Sequence, residues 1–394
     1  MVGSLTQKPF PIPAFHKMVT TIEFPQEITD IIVDLASSDL NCLKSCALIS
    51  RQWRDRSQYH IHHTLTIGRL TDTELLHEVY RDALVASYVR EVTVESMWGR
   101  YWTSIAPVLE RLHAVRSLSL MSVGTVDPEM QHFITTQFAS LDSISLAFAA
   151  FDDFPALSAF LNGLPNLSKM AFKNIYWSRS KGELTEKSVH RLRELKIMYC
   201  TEQDVLLKWL MGAGDKLQVN TLTMTWYEKA DAVRKFVHSL GQHLHHLTVS
   251  FSLSDPYSRD WKKHPLDLSS NTGLRTLEFR PNVFLPIVWG SLPTVPEMIA
   301  TVNSPHLSTL TVHIANLDED PVPTGSLSSI DDILDRPHFR TLSALQIVAG
   351  IHSKFEDGRE SCQERTYAMI RSAMPKMFER DLMKVLREEE MKSS

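Results

Sequence analysis

Two groups of histidines are the residues of this sequence that come nearest to a metal site. They are His60, His62 and His63 and, further along, His243, His245 and His246. A zinc site needs three or four imidazole, thiolate or carboxylate ligands that converge on one point. Both groups fall where extended chain is expected, and neighbouring residues of a strand point to opposite faces. We therefore interpret them as separate histidines and predict no bound metal.

Motifs of nucleophilic and phosphoryl-transfer chemistry are missing from the sequence. It contains no Gly-x-Ser-x-Gly, no His-Glu-x-x-His and no Gly-Lys-Ser/Thr. The stretch Gly212-Ala-Gly214-Asp-Lys216 has residues that suit a phosphate loop, but it follows a predicted helix and precedes a strand, which is the wrong order. Cys42 and Cys46 stand one helical turn apart with no second pair, so we interpret both as core residues. The sequence thus predicts a protein that is not an enzyme and carries no cofactor.

The composition argues against several classes of partner. The 394 residues include 41 Lys and Arg against 46 Asp and Glu, for a net charge of −5, and no long basic run. We therefore expect no nucleic-acid interface. The longest apolar runs, Ile144–Phe151 and Val283–Trp289, are too short to span a membrane. Four cysteines, at positions 42, 46, 200 and 362, indicate reduced thiols and a cytoplasmic and/or nuclear protein.

A recurring apolar pattern organises most of the chain. Its form is apolar-x-x-apolar-x-apolar, as in Leu192, Leu195 and Ile197. The middle residue of each copy, here called the anchor, falls at Val92, Leu118, Ile144, Met170, Leu195, Leu222, Leu247, Leu277, Leu310 and Leu345. Successive anchors are 25 to 35 residues apart. Self-similarity with such a period is typical of a solenoid.

Helix signals lie between the copies, so strand and helix alternate. Thr71-x-x-Glu74 has the form of a capping box, and Asp127-Pro128 is another typical helix start. Leu65 precedes the first anchor by 27 residues, which predicts one more strand. This alternation predicts an α/β fold: a right-handed leucine-rich-repeat solenoid with a concave parallel sheet and convex helices. We assign about 10–11 irregular repeats to residues 61–357.

Residues that alternate with the apolar ones are expected on the concave face of the sheet. Ser and Thr dominate among them, while Lys173, Lys196 and His246 add cationic or titratable side chains. We predict that these three residues contact a target protein. The alternative is that polar residues here only suit exposed strands.

The last three intervals between anchors are longer, and their extra residues are rich in aromatic side chains. Insertions in repeat proteins gather on a binding face, and Trp is a frequent interface anchor. We therefore predict that Trp261, Lys262, Arg280 and Trp289 select the target. Alternatively, Trp289 fills the core and Trp261 is an ordinary loop residue.

Both ends of the chain are expected to differ from the repeats. Residues 1–20 contain Pro9, Pro11 and Pro13 and are predicted to be a disordered lead without a secretory signal. Residues 358–394 are predicted to form a helical cap and tail, kinked at Pro375. One face of that tail would carry Phe378, Leu382, Val385 and Leu386.

Residues 21–60 are predicted to form three short helices. Pro25 suits a first helical position, and the apolar residues of the first helix share one face at helical spacing. They are Phe24, Ile28, Ile31, Ile32 and Leu35. Asp39 starts a second helix, and a third element runs from Ile49 to Arg54. Three helices of this length can bury only a small hydrophobic core. We therefore expect their apolar faces to contact either the first repeat or another protein.

Residues 24–54 resemble an F-box. The matching elements are Phe-Pro-x-Glu-Ile from Phe24, Ile-Ile-x-x-Leu from Ile31, Asp-Leu-x-x-Leu from Asp39 and a closing Arg-x-Trp-Arg from Arg51. Phe24 stands where the family usually has Leu, and Ile49-Ser50-Arg51 replaces a common Val-Cys-Arg. With the repeats behind it, the chain is similar to the F-box proteins with irregular leucine-rich repeats of mushroom-forming fungi.

The resemblance implies a substrate receptor of an SCF-type (Skp–cullin–F-box) ubiquitin ligase. In such a protein the F-box docks on the Skp adaptor, and through it on a cullin, while the repeats hold a target protein. The residues that the resemblance places at the adaptor or in helix packing are Phe24, Pro25, Ile28, Ile32, Leu43, Cys46, Ile49 and Trp53. The alternative is a repeat-based interaction scaffold without a ubiquitin role, whose F-box-like helices only cap the solenoid.

Overall fold

The computed structural model describes residues 25–96, 100–178, 188–200, 202–226, 231–251, 265–280, 294–315, 324–350 and 359–387. The chain divides into two compact units, with the boundary between His62 and His63. The described residues of the first unit are helical, whereas the second unit alternates strands and helices.

The N-terminal unit contains α1 (Gln26–Leu35), α2 (Leu40–Ile49) and α3 (Arg51–His62). Asp39 starts α2 as predicted, because its carboxylate accepts two backbone hydrogen bonds from the first turn. Pro25 precedes α1, so that helix begins one residue later than the sequence predicts. The core of the unit is small and consists of Val33, Leu43 and Cys46, with Trp53 and Ile61 packed against them.

One 13-stranded sheet runs through the second unit. Its strands are β1 (Thr64–Ile67), β2 (Glu91–Glu95), β3 (Ser117–Thr125), β4 (Ser143–Asp153), β5 (Lys169–Lys173), β6 (Tyr176–Ser178), β7 (Glu194–Met198), β8 (Thr221–Trp226), β9 (His246–Phe251), β10 (Thr276–Arg280), β11 (Thr309–Ala315), β12 (Ala344–Gly350) and β13 (Met383–Arg387). Neighbours follow chain order and pair in parallel, except that β6 pairs with β4 beside the main path. The predicted fold class, a leucine-rich-repeat-type α/β solenoid, is confirmed.

The anchors occupy one continuous row across this sheet. Leu65 pairs with Val92, Val92 pairs with Leu118, and the row continues through every anchor to Leu345. All of these side chains are buried. A slip of one residue would turn the apolar side chains of a strand toward solvent, so the repeat pattern itself specifies the register. The additional strand predicted at Leu65 is therefore also confirmed.

Helices cover one face of the sheet and enclose a single hydrophobic core that extends from Leu65 to Met377. They are α4 (Thr73–Val79), α5 (Ala83–Tyr88), α6 (Arg100–Leu109), α7 (Pro128–Gln137), α8 (Phe154–Asn162), α9 (Gln203–Met211), α10 (Asp231–Leu240), α11 (Thr294–Ala300), α12 (Thr324–Leu334), α13 (Arg359–Ala373) and α14 (Pro375–Glu379). Gly212 follows α9 and leads through a short 3₁₀ turn to β8, so this glycine-containing stretch ends a helix and precedes a strand, as predicted.

Aspartates cap several of these helices. Asp127 accepts a backbone hydrogen bond from the first turn of α7, as predicted. The capping box predicted at Thr71 was wrong, because Asp72 caps α4 instead. The Thr71 hydroxyl accepts a hydrogen bond from the N–H of Gly68 in the preceding turn. Asp is at least as good a cap as Thr, and here it stands nearer to the helix.

The C-terminal segment ends in a strand that the repeat pattern does not predict. Pro375 separates α13 from α14 as expected. The prediction of one helical face over Phe378, Leu382, Val385 and Leu386 was wrong, because Val385 and Leu386 lie in β13, which pairs with β12. The edge of β12 offers backbone groups that a strand can satisfy and a helix cannot.

A buried carboxylate joins this segment to the last repeat. Asp331 of α12 accepts hydrogen bonds from the backbone N–H groups of Lys376 at 3.1 Å and Met377 at 2.9 Å. These N–H groups begin α14 and have no acceptor within their own helix. The side chain of Arg380 adds a 3.0 Å hydrogen bond to the carbonyl of Leu334. The segment is thus fastened by polar contacts as well as by the pairing of β13.

Candidate functional site

The first candidate site is an apolar stripe on α1 that faces solvent. Ile31 and Ile32 each lie three or four residues from both Ile28 and Leu35, so the four side chains share one side of the helix. Their exposed fractions lie between 39% and 82%. Here the stripe means these four residues.

The opposite side of α1 is held against α3. Thr29 and Val33 are buried. The carboxylate of Asp34 accepts hydrogen bonds from Arg56 at 2.6 and 2.8 Å and from His60 at 2.7 Å. The hydrogen bonds from Arg56, and then that from His60, hold the pKa of Asp34 at about 2, below its ordinary 3.8. This attachment fixes the rotation of α1 that leaves the stripe outside.

The residues assigned to the adaptor surface fall into two sets. Pro25, Ile28, Ile32 and Ile49 are exposed, and α2 adds the exposed Leu40 and Leu48. Leu43 and Cys46 do not belong to that surface but to helix packing, because both are buried inside the unit; for Cys46 the interpretation as a core residue is confirmed. The half-buried Trp53 packs against the same core. Phe24 lies outside the described residues.

The second candidate site is the face of the sheet that the helices leave open. Ser and Thr dominate it, as predicted, for example Ser117, Ser143 and Thr221, which are partly exposed. The alternating pattern also places Thr225 and Thr311 on this face, but both are buried. Their hydroxyl groups are hydrogen-bonded within the protein. The hydroxyl of Thr225 accepts a hydrogen bond from the backbone N–H of Tyr199, directly after β7, at 3.1 Å. The hydroxyl of Thr311 donates one to the side chain of Gln346 on β12 at 3.2 Å. Those two positions therefore do not belong to an open surface.

Lysines lie near the middle of this face, and they differ in their partners. The ammonium of Lys169 is 3.7 Å from the carboxylate of Glu194. The ammonium of Lys173 lies over the ring of Phe148, 5.7 Å from its centre, a cation–π distance. Lys196 is exposed. In the described ranges, no carboxylate lies within 4 Å of the Lys173 or Lys196 ammonium.

A hydrogen-bonded network occupies the same face toward the C-terminal end. Glu278 accepts hydrogen bonds from Arg280 at 2.7 Å, His313 at 2.7 Å and Thr248 at 3.1 Å. Burial alone would raise the pKa of Glu278, but the hydrogen bonds from His313 and Arg280 outweigh it and hold the pKa at about 2. The predicted contact residue Arg280 is exposed, yet its guanidinium is already engaged.

The remaining predicted contact residues have mixed outcomes. His246 is exposed, and its Nδ1 lies 2.8 Å from the hydroxyl of Thr276. Trp261, Lys262 and Trp289 lie outside the described residues, so the predicted aromatic part of the target site stays a prediction.

Features that resembled catalytic or metal chemistry are dispersed. Within the described ranges, no group of three His, Cys, Asp or Glu side chains is arranged to hold a metal ion. His60 and His62 lie on α3 and not on extended chain, so the expected conformation there was wrong. Cys42 is exposed and not a core residue, whereas Cys46 is buried and burial raises the pKa of its thiol. No helix among the described residues has both the length and the hydropathy to cross a bilayer.

One feature of the open face does not follow from the alternation of apolar and polar residues in the sequence. In five consecutive repeats, one residue adopts the left-handed backbone conformation. Four positions after the anchor, φ lies between 49° and 57° at Ser96, Ser122, Phe148, Asn174 and Tyr199. Ser and Asn suit such a turn, whereas a bulky aromatic residue there is an outlier that costs roughly 1–3 kcal/mol. The turn reverses the alternation of β4: Ile144 and Leu146 are buried, but Phe148 is 43% exposed. The sequence signal that points to this turn is the Ser or Asn at the same place in neighbouring repeats.

Two further exposed side chains lie beside Phe148. Met121 is 37% exposed and pairs with Ala147, the residue before Phe148. Tyr176 is 50% exposed and pairs with Ala150, two residues after Phe148. The middle of β3, the middle of β4 and the start of β6 therefore bring three large side chains to one part of the open face.

Two solved structures are distantly similar to this chain. One is the crystal structure of a TLR13–ssRNA13 complex, at 14% identity and a TM-score of 0.34, covering 68% of this chain and 33% of that one. This chain thus spans about a third of that protein's length. Another is the crystal structure of the Rad7 and Elc1 complex in yeast, at 10% identity and a TM-score of 0.35, covering 84% of this chain and 90% of that one. Both similarities are too distant to carry a conclusion about function.

No protein-family model matches the sequence, and no curated protein is similar enough to count as a relative.

Proposed function

We propose that this chain is a substrate-recognition subunit of an SCF-type ubiquitin ligase. In this proposal the N-terminal unit docks on a Skp-type adaptor, and through it on a cullin, while the solenoid holds the target protein. The chain itself contributes no catalytic step, and it works in the cytoplasm, the nucleus or both. The observation that carries the proposal is the exposed apolar stripe of α1.

The stripe fits a docking role for energetic reasons. Burying one large aliphatic side chain completely contributes roughly 1.5–3 kcal/mol, so four partly exposed ones can anchor an interface. A contiguous exposed apolar patch, unlike single scattered apolar residues, is typical of an interaction site. A unit whose only role was to close the end of a solenoid would need no apolar stripe facing solvent.

The test is binding of the intact protein to a purified Skp-type adaptor. Ile28→Asp places a charge in the stripe, and we expect it to weaken adaptor binding by about a hundredfold, since a central apolar contact is replaced by a desolvated carboxylate. Leu70→Asp makes the same change at a 98% exposed position of the second unit and serves as the matched control.

The outcome separates the proposal from the scaffold alternative. Circular dichroism verifies that both variants stay folded. Loss of binding for Ile28→Asp with retention for Leu70→Asp supports adaptor docking through the stripe. Failure of the intact, unaltered protein to bind the adaptor would instead support an interaction scaffold without a ubiquitin role.

A further inference from the structure

We infer that exposed residues of β3 to β7 form a recognition surface for an acidic segment of the target protein, with an apolar side chain next to its carboxylates. This surface, here called the Phe148 surface, consists of Met121, Phe148, Lys173, Tyr176 and Lys196. The inference rests on the proposed role of the solenoid as the target-binding unit. It adds the place of contact and the chemical class of the segment that is bound.

The register of the sheet brings the Phe148 surface together. Met121 pairs with Ala147, and Ala147 pairs with Lys173, so Phe148 lies between the two outer residues. Lys196 stands on β7, the next strand of the main path after β5. Four adjacent strands at ~4.8 Å spacing extend over roughly 15 Å, the length of a short extended peptide.

The backbone at Phe148 indicates that its exposure has a purpose. Its φ of 53° is unfavourable for an aromatic residue, and its ring does not recover this free energy in the core because it is 43% exposed. In the adjacent repeats the same position is occupied by Ser122 and Asn174, which adopt the left-handed conformation more easily. An aromatic ring presented in this way is a typical anchor of an interface.

The two lysines of the Phe148 surface determine which kind of target segment it would bind. Among the described residues, no carboxylate lies within 4 Å of the ammonium of Lys173 or Lys196, in contrast to Lys169, which is paired with Glu194. Lys173 lies over the aromatic ring, and Lys196 adds a second ammonium group on the next strand, where it pairs with Ala171. This arrangement complements a segment in which carboxylates flank an apolar side chain. Glu194 on this face, and the net charge of −5, disfavour a phosphate backbone.

The probe is a displayed library of random peptides, selected on the intact protein without adaptor. We expect the enriched peptides to combine Asp or Glu with a large apolar residue. Charge reversal in the double variant Lys173→Glu/Lys196→Glu is expected to weaken their binding about tenfold, because two attractions become repulsions. Lys384→Glu, an exposed lysine on β13, is the control and should leave binding unchanged.

A second pair of variants separates recognition from folding. Phe148→Asn removes the ring and also suits the left-handed backbone, so Tm should rise by about 1–3 °C while peptide binding is lost. Ser122→Asn makes the equivalent backbone change in the adjacent repeat and should raise Tm while binding is retained. A lower Tm for Phe148→Asn with unchanged peptide binding would mean that the ring serves packing, and the inference would fail.

Two further outcomes would also overturn it. One is enrichment of peptides without acidic residues, or of peptides insensitive to the Lys173/Lys196 reversal. The other is tighter binding of single-stranded polyuridine RNA that the same reversal abolishes, which would assign the surface to nucleic acid. Because no adaptor is present, these results are independent of whether the α1 stripe docks on one.

Discussion

Three carboxylates illustrate how this chain uses single charged residues. Asp34 joins α1 to α3, Glu278 organises the polar network on the open face, and Asp331 fastens the C-terminal segment. Each accepts at least two hydrogen bonds, and charge-assisted hydrogen bonds are stronger than neutral ones. The first two therefore have a pKa well below the ordinary range, which makes their contribution dependent on pH.

Asp34→Asn should loosen α1 without unfolding the solenoid. The folded-state pKa of about 2 lies below the ordinary 3.8, so the stabilisation is present above about pH 4 and is lost as the pH falls toward 2. The side chains are partly exposed, so we expect a loss of only about 0.5–1 kcal/mol near neutral pH. Amide hydrogen exchange in α1 measures it, and equal exchange in variant and parent at neutral pH would contradict the role assigned to Asp34.

Glu278→Gln should destabilise the second unit more than the same change at an exposed glutamate. The variant leaves Arg280 and His313 without the anion that they hydrogen-bond, and we expect a loss of about 1–3 kcal/mol in the free energy of unfolding. With a folded pKa of about 2 against an ordinary 4.5, this contribution is complete above pH 4.5 and declines below it. Urea unfolding at several pH values tests the prediction, with the exposed Glu91→Gln as control. Equal losses for the two variants would count against it.

At the level of strands and helices, the sequence predicts the features that depend on the repeated apolar pattern. The anchors recur in the chain, so the parallel sheet, its register and the additional strand at Leu65 follow from alternation and burial. The apolar side of α1 is likewise visible as residues spaced three or four apart. Its exposure is not, because apolar spacing alone does not say whether solvent, a neighbouring helix or a partner lies opposite.

The features that sequence reasoning misses are those that the alternation of apolar and polar residues does not encode. The left-handed turn at Phe148 reverses the alternation within one strand, so a residue expected inside lies outside. β13 forms because the edge of β12 needs a partner, which is a property of the assembled sheet and not of residues 383–387. Leu43 falls inside the small helical core for a similar reason, since only the packing of α2 on α3 decides which side is covered.

Asp331→Ala should release the C-terminal segment from the last repeat. The change removes two hydrogen bonds at the start of α14, a loss of about 1–2 kcal/mol for a cap of this kind. Hydrogen exchange should accelerate in α14 and β13 but not in β9, which is remote in the sheet. Asp332→Ala, which removes only a surface ion pair with Lys376, is the control and should have little effect. Similar exchange in the two variants would show that Asp331 is not the fastening residue.

The molecule as a whole combines a helical unit with a small core and a solenoid with a long one. The core of the solenoid draws only on residues from Leu65 onward, so this unit should fold without the first one. Deletion of residues 1–62 is expected to preserve the Tm of the solenoid and the binding of selected peptides, and to abolish adaptor binding. Circular dichroism and the two binding assays measure this, and an unfolded deletion variant would contradict the division into two roles.

The most direct test of the account locates the adaptor on the intact protein. Hydrogen–deuterium exchange is recorded with and without a saturating amount of the purified Skp-type adaptor. The account predicts slower exchange in α1 and α2, residues Gln26–Leu35 and Leu40–Ile49, and no change in the strands from β2 to β12. Protection of those strands with α1 and α2 unaffected, or no protection anywhere, would contradict it.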